Sequence, residues 1–194
     1  MDAILDEGLV AHVGFVFDGA PIVLPMAYAR VDDQLYLHGA AANHMLRTLA
    51  SGAAVCVTVT LLDALVLARS TFHHSMNYRS VVLLGTATAV VDEDEKAMAL
   101  EALVEHLVPG RTRDARSPTP TELKATLVVR LAILEGSAKI RTGPPIEDEE
   151  DLTLPVWAGE IPLSIVAGTP TADPHVSPTM DTPMYATKYT RGSG

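Results

Sequence analysis

The stretch HVGFVFDGAPIVLPMAYAR is rich in Val, Phe and Ile on both sides of Asp18-Gly19. An Asp-Gly pair between apolar runs is a tight-turn signal, so the segment is predicted to be a β-hairpin. Ahead of it, residues 2–8 read as the end of a short helix that Gly8 closes. QLYLHG is a third strand. The period then changes: in AANHMLRTLASG, Met45, Leu46 and Leu49 form one apolar helical face, and Gly52 ends the helix. AAVCVTVTLLDALVLARS alternates less cleanly, and a bend near Asp63 is expected to split it into two strands. VVLLGTATAVVD is the next strand, with Gly85 marking a bulge or a close backbone approach.

EDEKAMALEALVEHLVPG is the clearest helix. Acids open it, Met98, Leu100, Leu103, Val104 and Leu107 recur at helical spacing, and Pro109-Gly110 stops it. TPTELK offers a Thr cap to a short helix, and TLVVRLAILEGSAKIRT reads as the two final strands. Roughly seven strands among short helices, without strict β-α-β alternation, argue against a parallel doubly wound sheet. The fold class expected is mainly β with flanking α: a small antiparallel barrel, closed or split. From Ile165 onward the chain is rich in Pro, Thr and Ser and has no period. Residues 1–167 therefore read as the domain and 168–194 as a tail, either flexible or laid across a partner subunit. The last residues, Gly192-Ser193-Gly194, read as an appended remnant.

Composition narrows the function. Hydrophobic residues make up 48% of 194, enough for one real core. The net charge of −10, part of it in the run Glu147–Asp151, repels phosphate backbones and sets nucleic acid aside. Cys56 is the single cysteine and lies in an apolar run, which fits a small buried hydrophobe in a reducing cytoplasm. No apolar run approaches the ~20 residues of a membrane span, and MDAILDEGLVAHVGF lacks the basic start and apolar centre of a secretion signal.

Three constellations carry polar chemistry. In YLHGAAANHMLR, His38 leaves a strand, Gly39 and three alanines keep the backbone bare, and Asn43 and His44 enter a helix. Spacing alone leaves two readings open, an anion site or an ordinary turn of small residues. In HHSMNYRS, neighbouring residues on a strand face opposite ways, so His73 and His74 are not expected to chelate one ion, and no metal site is expected. Arg79 there has the planar fork that suits a phosphate or a polar aromatic edge, or a surface ion pair. In the third stretch, AKIRTGPPIEDEEDLTLPVWAGEIPL, Trp157 is the only tryptophan, a packing anchor or the wall of a flat ligand, and Lys139 and Arg141 share one strand face, either solvated or phosphate-facing. No catalytic triad, nucleophile elbow or carboxylate pair is present.

LPMAYARVDDQLYLHGAAANHMLRTL, HHSMNYRSVVLLGTATAV and SAKIRTGPPIEDEEDLTLPVWAGEIPL, in that order, resemble the pyridoxamine 5'-phosphate oxidase-like flavin-nucleotide-binding family, including its nitroimidazole-resistance branch. The resemblance covers residues 4–167. It implies a split β-barrel homodimer with a flavin, usually FMN, at the subunit interface; FAD, deazaflavin and haem are the lesser alternatives. Pro25, Met26, Ala27 and Tyr28 match the backbone that lines the flavin ring. His38, Gly39, Asn43 and His44 match the turn that receives the phosphate, and Tyr78, Arg79 and Ser80 the strand entrance that reaches the cofactor. Trp157 matches the aromatic that borders the flavin, and His38 a histidine implicated in the nitroimidazole branch, which makes it the candidate catalytic residue. The family's oxidases carry Arg and Lys where this chain has Asn43 and His44, and a C-terminal Arg and His set that this chain lacks, so vitamin B6 oxidation is not expected.

The activity expected is therefore an FMN-dependent reduction of a small electron-poor organic molecule, with nitroaromatics as the leading class. The alternative is a non-catalytic flavin or haem carrier. Flavin supplies the redox chemistry, which accounts for the missing triad. Without a dinucleotide fingerprint, NAD(P)H is expected to dock only transiently. Of His73 and His74, one is expected near substrate and one to be structural.

Overall fold

The structure is a computed structural model and describes residues 1–190; the Gly192-Ser193-Gly194 remnant lies outside them. Two antiparallel sheets share one core. The first hairpin is β1 (Ala11–Phe17) and β2 (Ala20–Met26), with Phe17 opposite Ala20 across the two-residue turn. Asp18 and Gly19 take φ of 49° and 78°, the conformation that the Asp-Gly signal predicts. A second tight turn, missed in the sequence, joins β3 (Ala29–Val31) to β4 (Gln34–Ala40).

β5 (Ala54–Leu67) is one long strand, not two. Asp63 is accommodated as a bulge, where the pairing with β6 shifts between Leu62 and Ala64. A single extra residue raises local twist without ending the ladder, so the polar residue bends the strand but does not break it. β6 (Ser75–Thr86) starts earlier than VVLLG, so Asn77, Tyr78, Arg79 and Ser80 lie inside the strand and not at its entrance. It ends at a corner: Ala87 is buried, and β7 (Thr88–Ala89) joins the other sheet. The expected close approach at Gly85 is present, since a Cβ there would lie 2.9 Å from Leu131 Cδ1.

β8 (Thr126–Ala132) and β9 (Glu135–Arg141) are adjacent in sequence but enter different sheets. A further strand, β10 (Gly159–Pro162), lies beyond the two expected to be last. The large sheet runs β2-β1-β5-β6-β9, with β10 on the second half of β5, and the small one runs β3-β4-β8-β7.

Helices close the ends of the core. α1 (Asp2–Glu7) buries Ile4 and Leu5, and α2 (His44–Ala50) buries Met45, Leu46 and Leu49 as predicted. α3 (Glu93–Leu107) buries Ala99 and Leu103, whereas Met98 and Val104, expected on its inner face, are exposed. The short α4 (Pro120–Ala125) carries a full capping box between Thr119 and Glu122. The tail returns to its own chain through α5 (Met184–Thr187): Arg111 donates to the Tyr185 hydroxyl at 2.6 Å, and Tyr189 donates to the Leu107 carbonyl at 2.9 Å. Among the described residues no helix is long and apolar enough to cross a membrane.

Candidate functional site

Strand alternation gives the large sheet two faces. Val55, Val57, Val59 and Leu61 turn into the core with Val81 and Leu83. Cys56, Thr58 and Thr60 of β5 and Tyr78, Ser80 and Val82 of β6 therefore share the outer face. Register places Pro25, His12, Thr58 and Val82 in one row across four strands. Thr60, Ser80 and Lys139 form another. Cys56 Sγ lies 3.9 Å from Thr58 Oγ1 along this face, and Lys139 Nζ sits 5.8 Å from the Tyr78 ring centroid.

The result is a shallow floor of small side chains and hydroxyls, with an imidazole toward one end and an ammonium and a phenol toward the other. Hydroxyls can satisfy the polar edge of a flat heterocycle, and a lysine its anionic tail, so these residues fit a flavin nucleotide. The second half of the same sheet is apolar. Met76, Leu65 and Ile161 lie side by side on β6, β5 and β10 and are all exposed, as is Leu62.

The residues singled out from the sequence divide among four places. Pro25, Tyr78 and Ser80 lie on the outer floor. Met26 packs against the core, and Tyr28 is wholly buried. The Tyr28 hydroxyl donates to the Leu5 carbonyl at 2.6 Å, and its ring lies 5.0 Å from His106. Between them Ala27 is half-buried. Gly39 faces α2, where a Cβ would come within 2.9 Å of Leu46 Cδ1. Asn43 caps that helix by accepting the Leu46 N–H at 3.1 Å. His44 stands exposed on the first turn, its ring 6.2 Å from Phe17 beside the first hairpin.

His38 lies elsewhere. It pairs with Val128 and shares the face of β4 that holds Tyr36, opposite to Leu35, Leu37 and Gly39. Its Nδ1 is buried and has no hydrogen-bond partner among the described residues. Burial pushes its pKa down, which favours the neutral ring and makes it a weaker base than a free imidazole.

Arg79 is committed to the protein itself. Its Nε and Nη2 donate to Asp63 at 2.9 and 2.8 Å, Nη2 also reaches Glu7 at 2.9 Å, and Nη1 pairs with the second Glu7 oxygen. These two carboxylates raise its pKa, and the cluster fastens α1 to β5 and β6. Asn77, the buried polar residue beside it, donates to Glu160 and to the Gly143 carbonyl and accepts from Arg141, which ties β6 to β10 and to the turn after β9. Trp157 is 66% exposed and packs over Gly159, where a Cβ would lie 2.9 Å from the indole.

The two adjacent histidines diverge, but not by strand alternation: His73 ends a 3-10 turn, Thr71–His73, and His74 caps it ahead of β6. His73 Nε2 lies 3.2 Å from Asp148. His74 Nδ1 lies 3.0 Å from the Ser70 carbonyl, which only accepts, so Nδ1 is the donor and Nε2 is left outside this contact. His74 is exposed between Phe72, 86% exposed, and Met76, 49% exposed. An oriented imidazole among exposed apolar side chains is a residue that could hold a haem iron.

His12, Thr58 and Thr60 on the floor are not singled out by the sequence, whereas Lys139 is, as a solvated or phosphate-facing residue of its strand. Their period-2 spacing shows in HVGF and VTVT, but the register that joins them does not.

Solved structures of known proteins resemble this one closely. The flavocytochrome Anf3 from Azotobacter vinelandii is 41% identical over 98% of this chain and 89% of its own, with a TM-score of 0.91. A FAD and haem binding protein from Mycobacterium smegmatis is 39% identical over 98% of this chain and 93% of its own, with a TM-score of 0.93. A protein described as conferring 5-nitroimidazole antibiotic resistance, from Bacteroides thetaiotaomicron, is 24% identical over 71% of this chain and 80% of its own, with a TM-score of 0.59, and shares the fold. No curated protein sequence matches. The pyridoxamine 5'-phosphate oxidase family model matches residues 1–140, and the chain belongs to that family.

Proposed function

We propose that the chain is a redox protein that binds both a flavin and a haem. The observation that carries this reading is the pair of relatives at 41% and 39% identity over 98% of the chain, one a flavocytochrome and the other a FAD and haem binding protein. The second of these relatives favours FAD over the FMN expected from the sequence. A bound flavin supplies hydride and single-electron transfer, and a bound haem single-electron transfer.

The chain's own residues supply binding and orientation. Thr58, Thr60 and Ser80 offer hydroxyls to the heterocycle edge, and Lys139 holds the anionic tail. The Ser70 carbonyl orients His74 through Nδ1, and His74 Nε2 would hold the haem iron. The exposed row Met76, Leu65 and Ile161, with Leu62, Val16 and Val23, supports burial against a second copy, because monomers rarely leave such a face uncovered. The assembly is therefore a homodimer that works in the cytoplasm. It draws electrons from transiently docked NAD(P)H and passes them to a small electron-poor organic substrate, with nitroaromatics the first class to assay.

Titration of the purified chain with FAD and with haemin tests the reading. A flavin band and a Soret band are expected, with the Soret band lost in His74→Ala and flavin affinity lowered in Lys139→Glu. Binding of neither cofactor to folded protein overturns it.

A further inference from the structure

We propose that His73, Asp148 and Asp151 form a binding site for a borderline divalent cation of the zinc class. One ligand atom from each lies within 4.8 Å of the other two. The set is mixed, an imidazole nitrogen with two carboxylates, and it joins segments that are 75 residues apart between His73 and Asp148.

Local structure builds it. Residues Glu149–Thr153 form a 3-10 turn with Asp148 as its cap, and the Asp151 N–H donates to the Asp148 carbonyl at 3.0 Å. Asp148 is the extended cap of this turn, and the hydrogen bond that closes the turn brings its carboxylate and that of Asp151 within 4.8 Å of each other. An ion pair anchors this turn at the loop that carries His73. Arg69 Nη1 lies 2.5 Å from Glu147, whose side chain is only 3% exposed. His73 itself is held in a short 3-10 turn, its ring 5.1 Å from Phe72.

Distance and charge agree. Bonds of about 2.0–2.1 Å to a tetrahedral zinc separate its ligand atoms by roughly 3.4 Å. His73 Nε2 and Asp148 Oδ2 already stand at 3.2 Å, and the side chain of Asp148 is 79% exposed and free to turn. Asp151 has no ion-pair partner among the described residues, so its charge is uncompensated. The imidazole selects zinc over calcium or magnesium, which take all-oxygen sets. Water completes the coordination. The metal would clip the acidic 147–153 segment to the loop before β6, a second, non-covalent strap beside Arg69–Glu147.

The test is isothermal titration of the full chain, stripped with chelator, with zinc chloride against a competing chelator. Cobalt absorption serves as a second readout. One zinc per chain is expected. His73→Ala and Asp151→Asn should each weaken it roughly tenfold or more, at least the cost of losing a supporting contact. His74→Ala and the double variant Glu149→Gln/Glu150→Gln should leave it unchanged. No binding by folded protein, or equal weakening by the Glu149/Glu150 variant, overturns the site and leaves a diffuse acidic patch.

Discussion

Arg79→Met tests whether this residue serves the fold or a cofactor. In the parent, the guanidinium makes four hydrogen bonds to Glu7 and Asp63. Side-chain exposures are 28% for Arg79, 29% for Glu7 and 33% for Asp63. Removing the cation takes away the donor that both carboxylates share and leaves their like charges facing each other. A hydrogen bond to a charged group contributes about 1.5–3 kcal/mol, and stripping one partner from a buried pair costs about 3–5 kcal/mol. Partial exposure lets water reach the freed carboxylates, which lowers the expected loss to about 2–3 kcal/mol. At roughly 2–4 °C per kcal/mol for a domain of this size, Tm should fall by about 4–12 °C. Thermal unfolding followed by circular dichroism reads this directly. Adding Glu7→Gln and Asp63→Asn to Arg79→Met should recover part of the loss, because the repulsion between the two carboxylates is then gone. An unchanged Tm combined with lost flavin affinity would refute the reasoning and return Arg79 to the cofactor.

Three further outcomes follow from the packing. Gly8→Ala should cost about 1–3 kcal/mol in a urea melt, because the new Cβ would overlap Val59 and lie 2.7 Å from the Tyr28 hydroxyl, even though φ of −69° suits any residue. Asn77→Leu should cost about 2–3 kcal/mol and speed amide exchange in β9 and β10 before the rest of the sheet, since Glu160, Arg141 and the Gly143 carbonyl all lose a partner. His38 sets a pH slope: its folded pKa lies below the unfolded value of about 6.5, so the unfolded chain takes up the proton first and stability falls as pH drops below that value. His38→Gln should flatten that part of the stability curve, and an identical slope in the variant would remove His38 as its source.

Much of the fold is written locally. The Asp18-Gly19 turn, the apolar face of α2 and the Thr119 cap are each fixed by residues within one or two turns of one another. What depends on distant partners was not readable. Asp63 became a bulge because β6 and β10 continue the ladder past it. Ala87 marks a corner only because β8 waits in the other sheet. β10 is short and finds its pairing on β5 alone.

The site follows the same division. Resemblance points to Pro25, Tyr78 and Ser80, and register alone puts His12, Thr58 and Thr60, with Lys139, on the same face. The strand containing His38 was evident, yet the face it occupies is decided by the packing of α3 and Val128. His73 was set aside as a metal ligand because its sequence neighbour turns away; the carboxylates that meet it come from the other end of the domain.

The most direct measurement is the absorption spectrum of the gel-filtered chain after incubation with FAD and haemin. The account predicts a dimer that carries a flavin band and a Soret band together, with the Soret band alone removed by His74→Ala. A folded protein that retains flavin but never develops a Soret band, or that retains neither, contradicts it.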